Sequence, residues 1–303
     1  MVAMTDLMDG SPATGSADGA GLAGAAVLAA TAAAARSGVR IVELVGLEPL
    51  HEVQALFDSI WHPAPDNRPV TVELMRAMAK AGNPLTGAYD GTRLVGASVG
   101  FFAAPAGTAL HSHVTGVARS AQRRSIGRAL KLHQRAWALE RGITRISWTF
   151  DPLVRRNAWF NLGRLAASPL EYLPDFYGRM ADTINGNDSS DRLLASWALD
   201  SEAVIRAVAG EPPQVDLTAL RAAGAVDVVA PGPDGGPVIT AAPPGVPLLV
   251  AVPPDVEALR LSDPDLAAAW RLAVRDALGG GARVRGFAQE GWYVVEAPGG
   301  PTL

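Results

Sequence analysis

Between residues 111 and 150 the chain passes from one strand pattern, through a long amphipathic stretch, into a second strand pattern. His111–Ala118 alternates in polarity. Residues 122–140 place Ile126, Ala129, Leu130, Ala136 and Trp137 on one helical face, Gly142 stops that helix, and Arg145–Phe150 reads as a strand. A strand–helix–strand unit of this kind implies parallel pairing of its two strands, and so an α/β fold.

The start of the helix is chemically distinctive. Residues 119–145 hold seven arginines and Lys131 against a single acid, Glu140, in a protein whose formal net charge is -4. The segment Gln122-Arg-Arg-Ser-Ile-Gly-Arg-Ala129 sits where strand becomes helix. A helix N-terminus offers unpaired N–H groups and the positive end of the helix dipole, which together attract anions. Gly127 lets backbone approach a phosphate closely. The spacing is neither that of a Walker loop nor that of a dinucleotide fingerprint. The run also has an ordinary reading, a solvated helix face.

This segment, Arg124-Ser-Ile-Gly127-Arg-Ala129, resembles the Gln/Arg-x-x-Gly-x-Gly/Ala motif of GNAT-type N-acyltransferases. The preceding Val114-Thr-Gly-Val-Ala118 and the strand and shorter helix that follow suit the same setting. So do His111-Ser-His113, Trp148-Thr-Phe-Asp-Pro152, Arg156-Asn-Ala-Trp-Phe-Asn161, Tyr172-Leu-Pro-Asp-Phe-Tyr-Gly178 and Ser190-Asp-Arg192. Together they resemble a subgroup of GNAT acyltransferases with a C-terminal extension. The likeness spans about residues 39–200, and more weakly 246–297.

The resemblance implies a mixed, mainly antiparallel sheet flanked by helices. Acetyl-CoA or another acyl-CoA would be co-substrate, with acetyl or succinyl as the acyl group and a small amine, such as an amino acid, as acceptor. Backbone amides of Arg123, Arg124, Ser125, Ile126, Gly127, Arg128 and Ala129 would hold the pyrophosphate, with Asn157 on the cofactor side. The strands 111–118 and 145–150 would splay around the pantetheine arm. The acyl carbonyl would lie against the N–H near Val117, and the amine would attack the thioester directly. Leu162 stands where many members have a tyrosine that protonates the departing thiolate. A catalytically weak CoA-binding sensor or interaction module is the alternative.

An attacking ammonium must lose a proton, so a base is needed. His113 and Asp151 are the candidates on the two strands. His113 also reads as a structural histidine, and Asp151, before Pro152, as a turn cap. His111 and His113 lack a third partner, so no metal is expected.

The flanks are read from composition. Residues 1–38 are Ala/Gly-rich without core periodicity and predict a disordered tail or a loose helix. The first basic residue, Arg36, follows three acids, which argues against a signal peptide and a membrane role. Residues 39–200 form the acyltransferase domain. Residues 201–245, dense in Pro and Gly, predict a linker, and 246–303 a small α/β extension. The chain has no cysteine, which fits a reducing, cytoplasmic interior. The acidic balance argues against nucleic acid as partner, and a homodimer is left open.

Overall fold

The computed structural model describes residues 16–64, 67–178 and 188–296. Helix α1 (Ser16–Arg36) leads into β1 (Arg40–Glu43), α2 (Leu47–Trp61) and α3 (Val72–Lys80). Strands β2 (Leu85–Asp90) and β3 (Arg93–Ala103) form the hairpin that Asp90-Gly91 signals, with Gly91 at φ +58°. Then come β4 (Ala109–Val117), α4 (Ile126–Leu139), β5 (Arg145–Phe150), α5 (Arg155–Ala158), β6 (Ser168–Leu173) and β7 (Arg192–Ala198). The shorter helix expected after β5 is the short α5 followed by a π-helical turn, Trp159–Arg164.

These strands make one seven-stranded sheet in the order β1-β2-β3-β4-β5-β7-β6. Every pairing in it is antiparallel except β4–β5. The mixed, mainly antiparallel α/β architecture is therefore the one expected. Helix α2 presses on β4 at Gly116, where a Cβ would come within 2.8 Å of Ile60 and Trp61. Helix α4 covers the opposite sheet face.

The remainder builds a second sheet. Helices α6 (Glu202–Ala209) and α7 (Leu217–Ala222) precede β8 (Val226–Pro231), β9 (Pro237–Ile239) and β10 (Pro247–Ala251). Helices α8 (Val256–Ser262) and α9 (Pro264–Leu278) and strands β11 (Arg283–Ala288) and β12 (Trp292–Glu296) complete it, in the order β11-β12-β10-β8-β9. The linker expectation for 201–245 is thus corrected. Its Pro and Gly residues punctuate turns, such as the β8–β9 hairpin around Pro233-Asp-Gly-Gly236, and β8 lies inside the sheet, parallel to β10. Both sheets share one hydrophobic core, which joins Trp148, Phe150 and Trp197 to Trp270, Phe287 and Tyr293.

The tail expectation is also corrected for residues 16–36; residues 1–15 lie outside those described. Helix α1 lays Ala26, Ala30 and Ala33 against α4, all buried. Small side chains spaced by three and four residues let two helices approach closely. The stretch Gly19–Arg36 is long and apolar enough to cross a membrane by length and composition, at mean hydropathy 1.3 with 17% of it buried.

Because α1 docks on α4, Ala30→Glu places an unpaired carboxylate in that contact. It should destabilise the protein by ~2 kcal/mol or more, read as a lowered Tm of the full-length protein. An unchanged Tm would mean that α1 is not docked.

Candidate active site

Strands β4 and β5 share only three residue pairs, Ala109–Arg145, Leu110–Ile146 and His111–Ser147. Beyond His111 the β4–β5 ladder stops, while β4 continues to pair with β3 as far as Val117 and β5 with β7 as far as Phe150. The sheet therefore opens into a fork. Its β4 arm is about 20 Å long from residue 111 to 117. A bulge helps to open it: Val99 pairs with Val114 and Gly100 with Ser112, which leaves His113 as the extra residue.

Helix α4 runs antiparallel to β4. A Cβ on Gly96, the partner of Val117, would meet Ile126 and Leu130, and one on Gly100, the partner of Ser112, would meet Gln134. The start of α4 thus lies at the open mouth of the fork. Arg123 (φ 66°) and Ser125 (φ 60°) are left-handed, a backbone form that turns successive N–H groups to one side. Ser125 makes no side-chain cap, so the first-turn N–H groups are left for a ligand. A Cβ on Gly127 would meet nothing within 4 Å, so the space before it is open.

The expected basic patch is narrower than its charge count. Arg124 donates to Asp90, Ser37 O and Gly38 O. Arg128 donates to Val208 O, and Arg135 donates twice to Leu199 O. These arginines tie chain segments to α4. Arg119 and Arg123, both exposed, remain at the mouth.

His113 is half-buried, and its Nε2 lies 3.0 Å from Pro69 O. A carbonyl oxygen only accepts, so Nε2 carries the hydrogen and, in the neutral ring, Nδ1 keeps a lone pair. Phe101 packs against both His113 and His111. His111 pairs with Ser147 Oγ at 3.2 Å. Burial first, then the charges of His113 and Lys131, push its pKa down to about 4, so it is neutral at pH 7. Further along β5, Thr149 meets the Tyr177 hydroxyl at 3.0 Å, and the Arg192 guanidinium lies 5.4 Å from the Tyr177 ring. Asn157 is half-buried in α5, whose cap position is Val154.

Asp151 is not a base. Its carboxylate accepts from Arg271 at 2.8 and 2.9 Å, from Arg260, and from the Leu153 N–H at 2.9 Å. Burial alone would raise its pKa, but Arg271 and Arg260 outweigh that and hold it well below the usual carboxylate range. Asp188 bonds the same two arginines. Asp191 accepts from Arg275 and from the Tyr172 hydroxyl. This cluster fastens α8 and α9 to the end of β5. Val117, the residue expected to face the acyl carbonyl, ends the β4 arm. It lies at the mouth, beside the start of α4, while the apex of the fork lies at Ser112 and Trp148.

Among the described residues no group of three or more His, Asp or Glu could hold a metal. A separate cleft of about 460 Å³ lies between α1, β1 and α4, lined in part by Ala30, Ile41, His133 and Trp137. None of the expected site residues lines it.

A parallel strand pair that forks, with a glycine-bearing helix start at its mouth, matches what the turn motif implied. Residues 47–163 match the family model of the Acetyltransferase (GNAT) family. That segment is the part of the chain similar to GNAT acetyltransferases. No curated protein matches the chain. Among solved structures it is similar to an N-acetyltransferase from Staphylococcus aureus Mu50, at 14% identity and TM-score 0.44, covering 54% of this chain and 99% of that one. The ribosomal-protein-S18-alanine N-acetyltransferase from Escherichia coli gives 12% and 0.43, covering 54% and 95%. A GNAT family acetyltransferase from Elizabethkingia anophelis with acetyl-CoA bound gives 14% and 0.41, covering 53% and 98%. The second sheet of this protein extends the chain well beyond the matched GNAT domain.

If Asp151 anchors the second sheet, Asp151→Asn leaves Arg271 and Arg260 undercompensated. It should cost about 3 kcal/mol, seen as a lower Tm. Asp191, held to about 2 chiefly by Arg275 against the opposing effect of burial, adds an acid limit. A depressed carboxyl stabilises the fold above its unfolded pKa of ~3.9, and that contribution is lost as pH falls toward about 2. The melting temperature should therefore drop over that interval, and less steeply in Asp191→Asn.

Proposed function

We propose that this protein is a cytoplasmic acyl-CoA-dependent N-acyltransferase that moves an acyl group from the thioester to a small amine. The observation that carries this reading is the β4–β5 fork with the uncapped start of α4 at its mouth. The N–H groups of residues 124–129 would receive the pyrophosphate, with Arg119 and Arg123 adding charge at the rim. The pantetheine arm would extend down the fork along β4. That direction brings the thioester to the bulge at His113 and Val114, deeper than the Val117 position expected from sequence.

The residues at the apex support direct transfer. The amine nitrogen would attack the thioester carbon, the C–S bond would break, and CoA would leave as thiolate. Holding both reactants together supplies most of the acceleration. Oriented by Pro69, the His113 Nδ1 lone pair is suited to take the proton from the incoming amine. Leu162, at the position of the family's usual acid, is buried. A free thiol such as that of cysteine titrates near ~8.5, so a thiolate leaves with modest help, and the exposed Tyr177 phenol, paired with Thr149 on the β5 arm, is a candidate to supply it.

Calorimetric titration with CoA tests the fork. The full-length protein should bind CoA, and Gly127→Val should weaken binding at least tenfold with little change in Tm. Equal affinity in a folded Gly127→Val protein would remove the pyrophosphate assignment. Thiol release over a panel of amines tests the chemistry. With the best amine, His113→Gln should lower kcat by ~10²-fold while CoA affinity holds. CoA binding with no thiol release for any amine would favour the sensor reading instead.

A further inference from the structure

Lys131 sits on α4 beneath the apex of the fork. Its Nζ donates to Ser112 Oγ at 2.9 Å and lies 3.7 Å from the centre of the Trp148 ring. Ser112 is on β4 and Trp148 on β5, and each is the first residue past the last shared pair, His111–Ser147. The ammonium therefore spans the point where the two strands part. Lys131 is 6% exposed and Ser112 3%. No carboxylate pairs with Lys131 among the described residues, and burial alone pushes its pKa down to about 7. Trp148 Nε1 is buried too, with no hydrogen-bond partner.

The apex thus collects donors, an ammonium, a hydroxyl and an indole N–H, without an anion to meet them. By contrast Arg128 and Arg135 on the helix, and Arg124 in the turn before it, all reach carbonyl or carboxylate oxygens. An apolar side chain of similar length would fill the Lys131 space without the cost of desolvating a charge. Burial this deep leaves Nζ near the balance between amine and ammonium, so an anion arriving with a ligand would complete the pair and restore the charge.

We propose that Lys131 receives the terminal carboxylate of a dicarboxylic acyl-CoA, making the donor an anionic acyl thioester. This rests on the fork being the acyl-CoA channel. The antiparallel course of α4 and β4 puts the pyrophosphate end at the mouth and the acyl end at the apex, beside Ser112 and Trp148. A chain of a few carbons beyond the thioester carbonyl leads from the bulge toward Lys131. The carboxylate takes no part in bond making. The amine still displaces CoA at the thioester carbon, and the carboxylate fixes the acyl chain against the floor of the fork.

Titration of the full-length protein with free CoA, butyryl-CoA and succinyl-CoA tests this, since the last two differ by a methyl against a carboxylate. Succinyl-CoA should bind about tenfold more tightly than butyryl-CoA or better. In Lys131→Met that difference should vanish, and in Ser112→Ala it should shrink. If CoA binds but butyryl-CoA equals or exceeds succinyl-CoA in the unaltered protein, the inference is overturned without any variant. A preference that survives in Lys131→Met overturns the assignment to Lys131. If free CoA does not bind, the acyl-CoA reading itself fails.

Discussion

Strands β4 and β5 hold together over three residue pairs and then part, and the rest of the central architecture accommodates that separation. Each arm must still satisfy its backbone, because buried N–H and C=O groups left unpaired are costly. The β4 arm stays on β3 and the β5 arm on β7, so the fork is open only toward itself. Its floor is α4, which the sheet covers on one side and α1 on another, so the helix is buried on nearly all sides. Ser98, Thr115 and Gln134 form a buried hydrogen-bonded row beside Lys131.

The end of β5 is held from outside the segment that matches the family model. Arg271 and Arg260, from α9 and α8, hold Asp151 immediately after β5, and the Tyr293 hydroxyl donates to Pro152 O. A buried ion cluster of this type adds little net stability over an apolar equivalent, but loss of one partner is costly. It fixes the direction in which the chain leaves β5, and with it the divergence of the arms. On the opposite flank, Arg124 clips the end of α1 to the turn before α4 through Ser37 and Gly38. The second sheet and the N-terminal helix thus bracket the same site from two sides.

Elements with strong local periodicity or turn chemistry were legible in the sequence. Strand β5 has the expected bounds, and the Asp90-Gly91 pair marks the β2–β3 hairpin. The turn at 122–129 was legible because glycine and arginine at a strand–helix junction restrict what the backbone can do there. Helix α1 was not, because in a run of alanines the contact residues Ala26, Ala30 and Ala33 look like their neighbours. Asp151 was misread for a different reason. Its arginine partners lie 109 and 120 residues along the chain, and a carboxylate after a strand gives no local sign of them. Lys131 was counted into a basic run, and only the strand pairing places it at the apex of the fork.

Hydrogen exchange of the full-length protein, with and without CoA, tests the central claim most directly. The account predicts slowed exchange on CoA addition in the amides of residues 112–117 and 125–129, with the second sheet and the cleft between α1, β1 and α4 unchanged. Slowing confined to that cleft, around residues 30–41 and 133–140, with none at 125–129, would contradict it.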